Sequence, residues 1–200
     1  MKILLKTLFL ALTLTFFSCS NGSDSEPCLP IACLNGGIST IDCDCDCPEG
    51  YTGTDCSIQV TPSKIKITKI TLIGFPLMRD SNDYWDSYIF NQEEVSPDIF
   101  IRIRTTSEIL YTSGYYENAI SSFSGYDFIP DTPISITSPT SPIGLSVNDN
   151  DKNLIGDDTY ELMVYSAFGI YDDTNGFPSV LKFDHDNPVL QFDLHLTYEF

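Results

Sequence analysis

Six of the seven cysteines lie within residues 28–56, and this cluster constrains the fold more than any other feature of the sequence. Thiolates around one tetrahedral metal need neighbouring sulfurs within about 4 Å of one another. Alternate side chains of an extended Cys-x-Cys segment lie about 6.6 Å apart. A metal cluster also needs a reducing compartment, whereas the N-terminal sequence indicates export. The cluster therefore predicts a disulfide framework, and the sequence alone leaves its pairing open.

The first residues have the layout of a secretory signal. Lys2 and Lys6 precede an apolar run, 8–17, that is too short for a membrane span of about 20 residues. One alternative is an ordinary signal in which Cys19 is incidental. The other rests on "FFSC", residues 16–19, which resembles the lipobox of bacterial lipoproteins. That resemblance implies a signal peptide over 1–18, lipidation of Cys19, and an exported, membrane-anchored protein in the periplasm or at the cell surface.

The chain is strongly acidic. Its formal net charge is −18, and loss of Lys2 and Lys6 with the signal leaves eight basic residues against 28 acidic ones. Such a chain repels nucleic acid, so no nucleic-acid partner is expected. Residues 19–27 are small, polar and acidic, which predicts a flexible acidic tether.

A cysteine-free region begins after a linker over 57–63 and extends over 64–200. Its segments alternate between apolar and polar residues, as strands with one buried face do. In 64–75 the alternation slips by one residue, which predicts a bulge near Lys69. The predicted strands are 64–75, 98–105, 108–112, 134–137, 143–147, 160–167, 179–183 and 189–200. The region is therefore expected to form an antiparallel β-sandwich of about eight strands, in an all-β chain.

The cysteine segment ends in "CDCPEGYTGTDC", residues 45–56, and this ending resembles an epidermal-growth-factor-like (EGF-like) module. The resemblance implies an EGF-like domain over 28–56 with bridges Cys28–Cys43, Cys33–Cys45 and Cys47–Cys56. A module of this size buries too little surface to fold without crosslinks. Its expected role is that of a stiff spacer, with partner recognition as the alternative.

Two acidic clusters flank the predicted strands. "MRDSNDYWDS" contains Asp80, Asp83 and Asp86, and "SVNDNDKNLIGDD" contains Asp149, Asp151, Asp157 and Asp158. Clustered aspartates on loops supply the oxygen ligands that Ca²⁺ prefers. If both loops lie at one end of the sandwich, the carboxylates converge and favour a bound cation. The alternative is that acidic loops only solubilise the protein.

"PDIFIRI" and "VNDNDKNLIGDD" resemble motifs of C2 domains, which are β-sandwiches that bind Ca²⁺ between loops. The resemblance implies a C2-like sandwich over 64–200 and calcium as a cofactor. The implied ligands are Asp80, Asp86, Asp98, Asp149, Asp151 and Asp157.

No motif for nucleophilic, zinc-dependent or phosphate-binding catalysis occurs in the sequence, so no enzyme is expected. The prediction is a membrane-anchored lipoprotein that acts as a calcium-binding surface or adhesion module, with an unidentified protein or glycan ligand. A calcium-independent structural or adhesion protein of the same architecture is the alternative. A glycan-acting hydrolase with paired carboxylates is the least favoured reading.

Overall fold

The computed structural model describes residues 31–80, 83–86, 96–120, 125–152, 158–184 and 189–200. Every regular element in these ranges is a β-strand, and they contain no helix. This confirms the prediction of an all-β chain in which a small disulfide-bonded module precedes an antiparallel β-sandwich. The predicted signal peptide, Cys19 and the tether lie outside the described residues.

The cysteine module contains short strands that pair in two antiparallel ribbons. The strands are β1 (Ile38–Ser39), β2 (Cys45–Asp46), β3 (Tyr51–Thr52) and β4 (Ile58–Gln59). β1 pairs with β2, and β3 pairs with β4. β4 lies within the predicted linker 57–63, so the module's second ribbon extends past Cys56.

The sandwich is built from longer strands. They are β5 (Lys64–Gly74), β6 (Met78–Asp80), β7 (Asp83–Tyr84), β8 (Ile99–Arg104), β9 (Ile109–Thr112), β10 (Tyr126–Phe128), β11 (Ile134–Ile136), β12 (Ile143–Lys152), β13 (Asp158–Phe168), β14 (Val180–Asp184) and β15 (Gln191–Glu199). One sheet has the order β10-β5-β15-β14, with β11 also paired to β5. The other has the order β13-β12-β8-β9, and all its pairs are antiparallel. β6 and β7 form a separate hairpin.

The core lies between the two sheets and follows the predicted alternation. Ile101 and Ile103 of β8 are completely buried, and so are Phe192 and Leu194 of β15. These side chains belong to one continuous hydrophobic cluster with residues of β5 and β12. β5 and β15 thus bury every second residue, as a sheet with one solvated face requires. In β8 and β12 the outward Phe100, Ser146 and Asn148 are buried as well.

The alternation of β5 slips where the sequence predicts it. In the pairing of β5 with β15, Lys69 lies opposite His195 and Ile67 lies opposite Leu196. Thr68 therefore has no opposite residue in β15. The bulge lets Ile67 and Ile70 both face the core. The hydroxyl of Thr68 donates to the carbonyl of His195 at 3.1 Å.

Two features differ from the sequence-based expectation. The strand predicted over 143–147 continues to Lys152 as β12, because β8 pairs with it as far as Asp149 and β13 as far as Lys152. The short strands β6, β7 and β10 were not predicted, since two or three residues are too few to show alternation.

The cysteine module packs against the sandwich through aromatic rings. Phe177 contacts Tyr51 of the module edge-on at 5.3 Å between ring centroids, and it contacts Phe200 at 4.8 Å. Gly50 has φ of 89°, and a side chain there would overlap the Phe177 ring. Gln59 accepts a hydrogen bond from the Gly176 N–H at 2.9 Å. The segment between the two parts is therefore held in place by packing and hydrogen bonds.

Candidate metal centre

Three carboxylates converge at the end of β12. Val147 faces the core, and alternation along β12 places Asp149 and Asp151 on the same core-facing side of the strand. Asp86 reaches them from the segment just after β7. One oxygen from each of the three carboxyl groups lies within 4.8 Å of the other two.

Asp149 is the most enclosed of the three, with no exposed surface. Its Oδ1 accepts a hydrogen bond from the Asp98 backbone N–H at 2.8 Å. Its Oδ2 is buried and has no hydrogen-bond partner among the described residues. A buried carboxylate oxygen without a partner is costly, so this atom needs a proton, a water molecule or a cation as its partner.

Asp98 holds the site together without pointing an oxygen into the group of three. Its backbone carbonyl accepts from the Asn150 N–H at 2.9 Å. Its carboxylate Oδ1 accepts from the Asn118 N–H at 2.8 Å. Asp98 therefore ties the start of β8 to β12 and fixes the Asp149 carboxyl group, while its charge adds to the negative potential at the cluster.

The pKa values of the cluster are raised because charge is crowded where water is scarce. Desolvation, followed by repulsion from Asp149, raises the pKa of Asp86 to about 7. Burial raises the pKa of Asp149 to about 6, although its hydrogen bond from Asp98 opposes the shift. Burial, followed by the charge of Glu161, also raises the pKa of Asp151. A nearby cation would reverse these shifts.

An arginine lies at the rim of the cluster. Arg79 pairs with Glu161 and lies 3.5 Å from Asp83, and its guanidinium is 5.5 Å from the Trp85 ring centroid. Its positive charge opposes the upward shift in the pKa of Asp151. Neither Arg79 nor Glu161 was among the site residues predicted from the sequence. The only sequence signal was a lone arginine within an acidic segment.

The donor set fits a hard divalent cation. Ca²⁺ takes six to eight oxygen ligands at roughly 2.3–2.6 Å, so two of its ligands are at most about 5 Å apart. The spacing within 4.8 Å satisfies that limit, and Asp149 Oδ2 is an unpartnered oxygen ready for such an ion. Backbone carbonyls or water would complete the coordination.

The structure brings together three of the six predicted ligands, Asp86, Asp149 and Asp151. Asp98 is adjacent and contacts Asp149 through its backbone. Asp80 lies in β6, but its side chain is not among those described. Asp157 lies outside the described residues. The expectation that Asp149 and Asp151 belong to a loop was wrong, because β12 extends through both.

The predicted disulfides can be compared with the described cysteines. Cys33 is bonded to Cys45 with Cα atoms 5.7 Å apart, and Cys47 to Cys56 with Cα atoms 5.4 Å apart. These are two of the pairings that the EGF-like resemblance implied. Cys43 is also disulfide-bonded, but Cys28 lies outside the described residues, so the Cys28–Cys43 pairing stays a prediction.

The chain matches no protein-family model and has no significant match among curated proteins. Within the described ranges, none of the secondary structure is a helix with the length and apolarity needed to cross a membrane.

Proposed function

We propose that this protein is a membrane-anchored lipoprotein whose β-sandwich binds Ca²⁺ and acts as a surface-binding or adhesion module. The proposal has an acylated Cys19 as the anchor, an EGF-like module as the spacer and a C2-like sandwich as the binding domain. It places the protein in the periplasm or at the cell surface, with a protein or glycan as its ligand. Its role is binding and not catalysis.

One observation carries the calcium part of the proposal: Asp149 is fully buried beside Asp86 and Asp151, and its Oδ2 has no partner among the described residues. Without a cation, the fold confines three mutually repelling carboxyl groups. A divalent ion would neutralise that repulsion and partner the buried oxygen. The disulfides support the exported location, because such bonds persist in oxidising compartments.

The second candidate is a calcium-independent structural or adhesion protein. Arg79 favours it, because this side chain already brings a positive charge to the rim of the cluster. With Asp86 protonated, its hydroxyl donates a hydrogen bond to Asp151 and further reduces the repulsion. The two candidates differ in what calcium does to stability.

The test is a Ca²⁺ titration of the full chain followed by thermal unfolding and by fluorescence. Ligand at a hundred times its Kd adds about 2.7 kcal/mol of stability, which raises the unfolding midpoint by roughly 5–11 °C at this chain length. Trp85 is the sole tryptophan, is 7% exposed and directly precedes Asp86. Its emission should therefore change as the site fills.

Asp151→Asn should abolish both responses, whereas Asp131→Asn, which removes a carboxylate from an exposed turn, should retain them. Mg²⁺ serves as the ion control. An unchanged midpoint and unchanged emission at millimolar Ca²⁺ would favour the calcium-independent candidate. The anchor is tested separately by mass spectrometry, since Cys19→Ala should remove an acyl modification that the original chain carries.

A further inference from the structure

The outer face of the sheet β13-β12-β8-β9 carries arginine and tyrosine side chains that the calcium proposal does not use. Arg102 alternates with the buried Ile101 and Ile103 and so lies on the opposite side of β8. The strand register places Arg102 beside Ser146, and Ser146 beside Tyr165. We call this surface the arginine–tyrosine face; it consists of Phe100, Arg102, Arg104, Tyr160 and Tyr165.

The guanidinium of Arg102 is held in place by aromatic rings. It lies 4.0 Å from the ring centroid of Tyr160 and 5.1 Å from that of Phe100. Its Nε is buried and has no hydrogen-bond partner among the described residues. A stacked guanidinium is preorganised for a planar, bidentate acceptor such as a carboxylate.

The cations of this face have no acidic partner in the described part of the chain. The ion pairs found there use other basic residues, namely Lys64, Lys66, Lys69, Arg79 and Lys182. Among the described residues, the Arg104 side chain donates only to the Thr105 carbonyl, at 3.4 Å. In a chain with a net charge of −18, two adjacent arginines without carboxylates favour an external anion. At physiological salt, acidic side chains more than about 8 Å from these arginines are largely screened. The positive charge of the two arginines therefore dominates the potential at this face.

The tyrosines give the face a flat and amphipathic surface. Tyr160 and Tyr165 are 56% and 49% exposed. The Tyr165 ring lies over Gly144, where any side chain would overlap it. Beneath the rings, the Asn148 amide donates to the Ser146 hydroxyl at 3.1 Å and forms a polar floor. Aromatic rings with hydroxyl groups suit a ligand that combines an apolar face with a polar rim.

We propose that the arginine–tyrosine face binds an acidic saccharide. The sugar carboxylate accepts hydrogen bonds from Arg102, with Arg104 adding charge, and the apolar faces of the sugar rings lie on Tyr160 and Tyr165. An acidic peptide also offers carboxylates, and arginine clusters recognise acidic peptides in other proteins. The exposed rings of Tyr160 and Tyr165 favour the saccharide, because a sugar ring has an apolar face and a polar rim. The groups named here project from the face of the sheet.

This inference gives a partner class to the surface-binding role proposed above and rests on that role. It does not depend on calcium, because Asp149 lies on the core-facing side of β12 while Ser146 and Asn148 lie on the other. Failure of one proposal therefore leaves the other standing.

The test is calorimetric titration of the full chain with polygalacturonate at physiological salt, in chelator and again in Ca²⁺. Neutral dextran and poly-L-glutamate serve as comparison ligands. Arg102→Gln should weaken polygalacturonate binding about 10- to 100-fold, as expected for loss of a charge-assisted hydrogen bond. The exposed Arg104→Gln removes only a nearby charge and should weaken binding about 2- to 5-fold. The matched control is Lys182→Gln, which removes one positive charge from an exposed side chain of β14.

Binding of polygalacturonate in chelator, weakened by both arginine variants and unchanged by the control, is the expected result. No binding, equal binding of dextran, or equal binding of poly-L-glutamate would overturn the proposal. Equal weakening of polygalacturonate binding by Lys182→Gln would mean that only the net charge of the protein matters. That result would also overturn the proposal. Binding seen only with Ca²⁺ would overturn the proposal, because calcium itself bridges saccharide carboxylates to those of the protein. If Arg102→Gln lowers the midpoint of thermal unfolding, loss of stability is a second explanation for its weaker binding. The binding measured for Arg104→Gln then decides the result.

Discussion

The cysteine module and the β-sandwich are stabilised by different means. In the sandwich, residues of β5, β8, β12 and β15 form a continuous core. In the described part of the module, strands are two residues long, and apolar side chains such as Ile38 and Ile41 are exposed. Disulfides replace a core there, because so short a segment buries too little apolar surface. The same chain therefore has one part that depends on packing and another that depends on covalent bonds.

Leu194→Ala should have the largest effect, and it should fall on the sandwich. Leu194 is completely buried in β15, and such truncations cost about 2–5 kcal/mol because they lose apolar contact and leave a cavity. Chemical denaturation would measure the loss. Thr197→Ala on the exposed side of the same strand should cost little. A large loss of stability in that control would show that substitutions in β15 destabilise the fold whether or not they remove a core contact.

Removing one disulfide should destabilise the module and leave the sandwich folded. Cys47→Ser combined with Cys56→Ser opens a short loop, and loss of such a bridge costs about 2–4 kcal/mol. Amide hydrogen exchange would locate the change. Protection should fall for β3 and β4 but persist for β8 and β12. Equal loss of protection in all four strands would mean that the two parts unfold as one unit.

Phe177→Ala should separate the two parts at a smaller cost. The Phe177 ring is half-buried and contacts Tyr51 of the module and Tyr198 and Phe200 of the sandwich. Truncating a half-buried aromatic ring should cost about 1–2 kcal/mol. Calorimetry should show that the variant's module unfolds at a lower temperature while unfolding of the sandwich changes little. Phe183→Ala, in β14, is the matched aromatic control, and it should lower the unfolding temperature of the sandwich instead.

The sandwich in chelator should also depend on pH. The pKa of Asp86 is raised to about 7 and that of Asp149 to about 6, so the folded chain binds more protons than the unfolded chain from about pH 4 upward. Stability is therefore greatest below the unfolded pKa and falls as the pH rises to about 7. Thermal midpoints at several pH values would check this.

The module should not share that trend. A hydrogen bond from the Ser57 side chain lowers the pKa of Asp55. Asp55 therefore contributes stability above its unfolded pKa, and this contribution is lost as the pH falls through the folded value.

Asp86→Asn should reduce the slope of sandwich stability against pH between about pH 4 and 7. An unchanged slope would assign the pH dependence to other groups.

Local patterns account for what the sequence determined by itself. Alternation is a property of neighbouring residues, so it predicted β8 and β15 and their core-facing residues such as Ile101, Ile103 and Leu194. It did not predict that Phe100 is buried or that Phe200 is exposed. The slip in 64–75 predicted the bulge at Thr68 for the same reason. Cysteine density indicated the disulfide-bonded module, and the EGF-like ending implied the pairings Cys33–Cys45 and Cys47–Cys56.

Only the tertiary structure decided which distant residues meet. Asp86 joins Asp149 because the chain after β7 approaches the end of β12, and no local pattern encodes that approach. Sequence also could not show that Arg79 reaches Glu161, or that Tyr160 stacks on Arg102 from a neighbouring part of the sheet. These contacts depend on sheet order and strand register, which set burial and therefore the pKa values of the aspartate cluster.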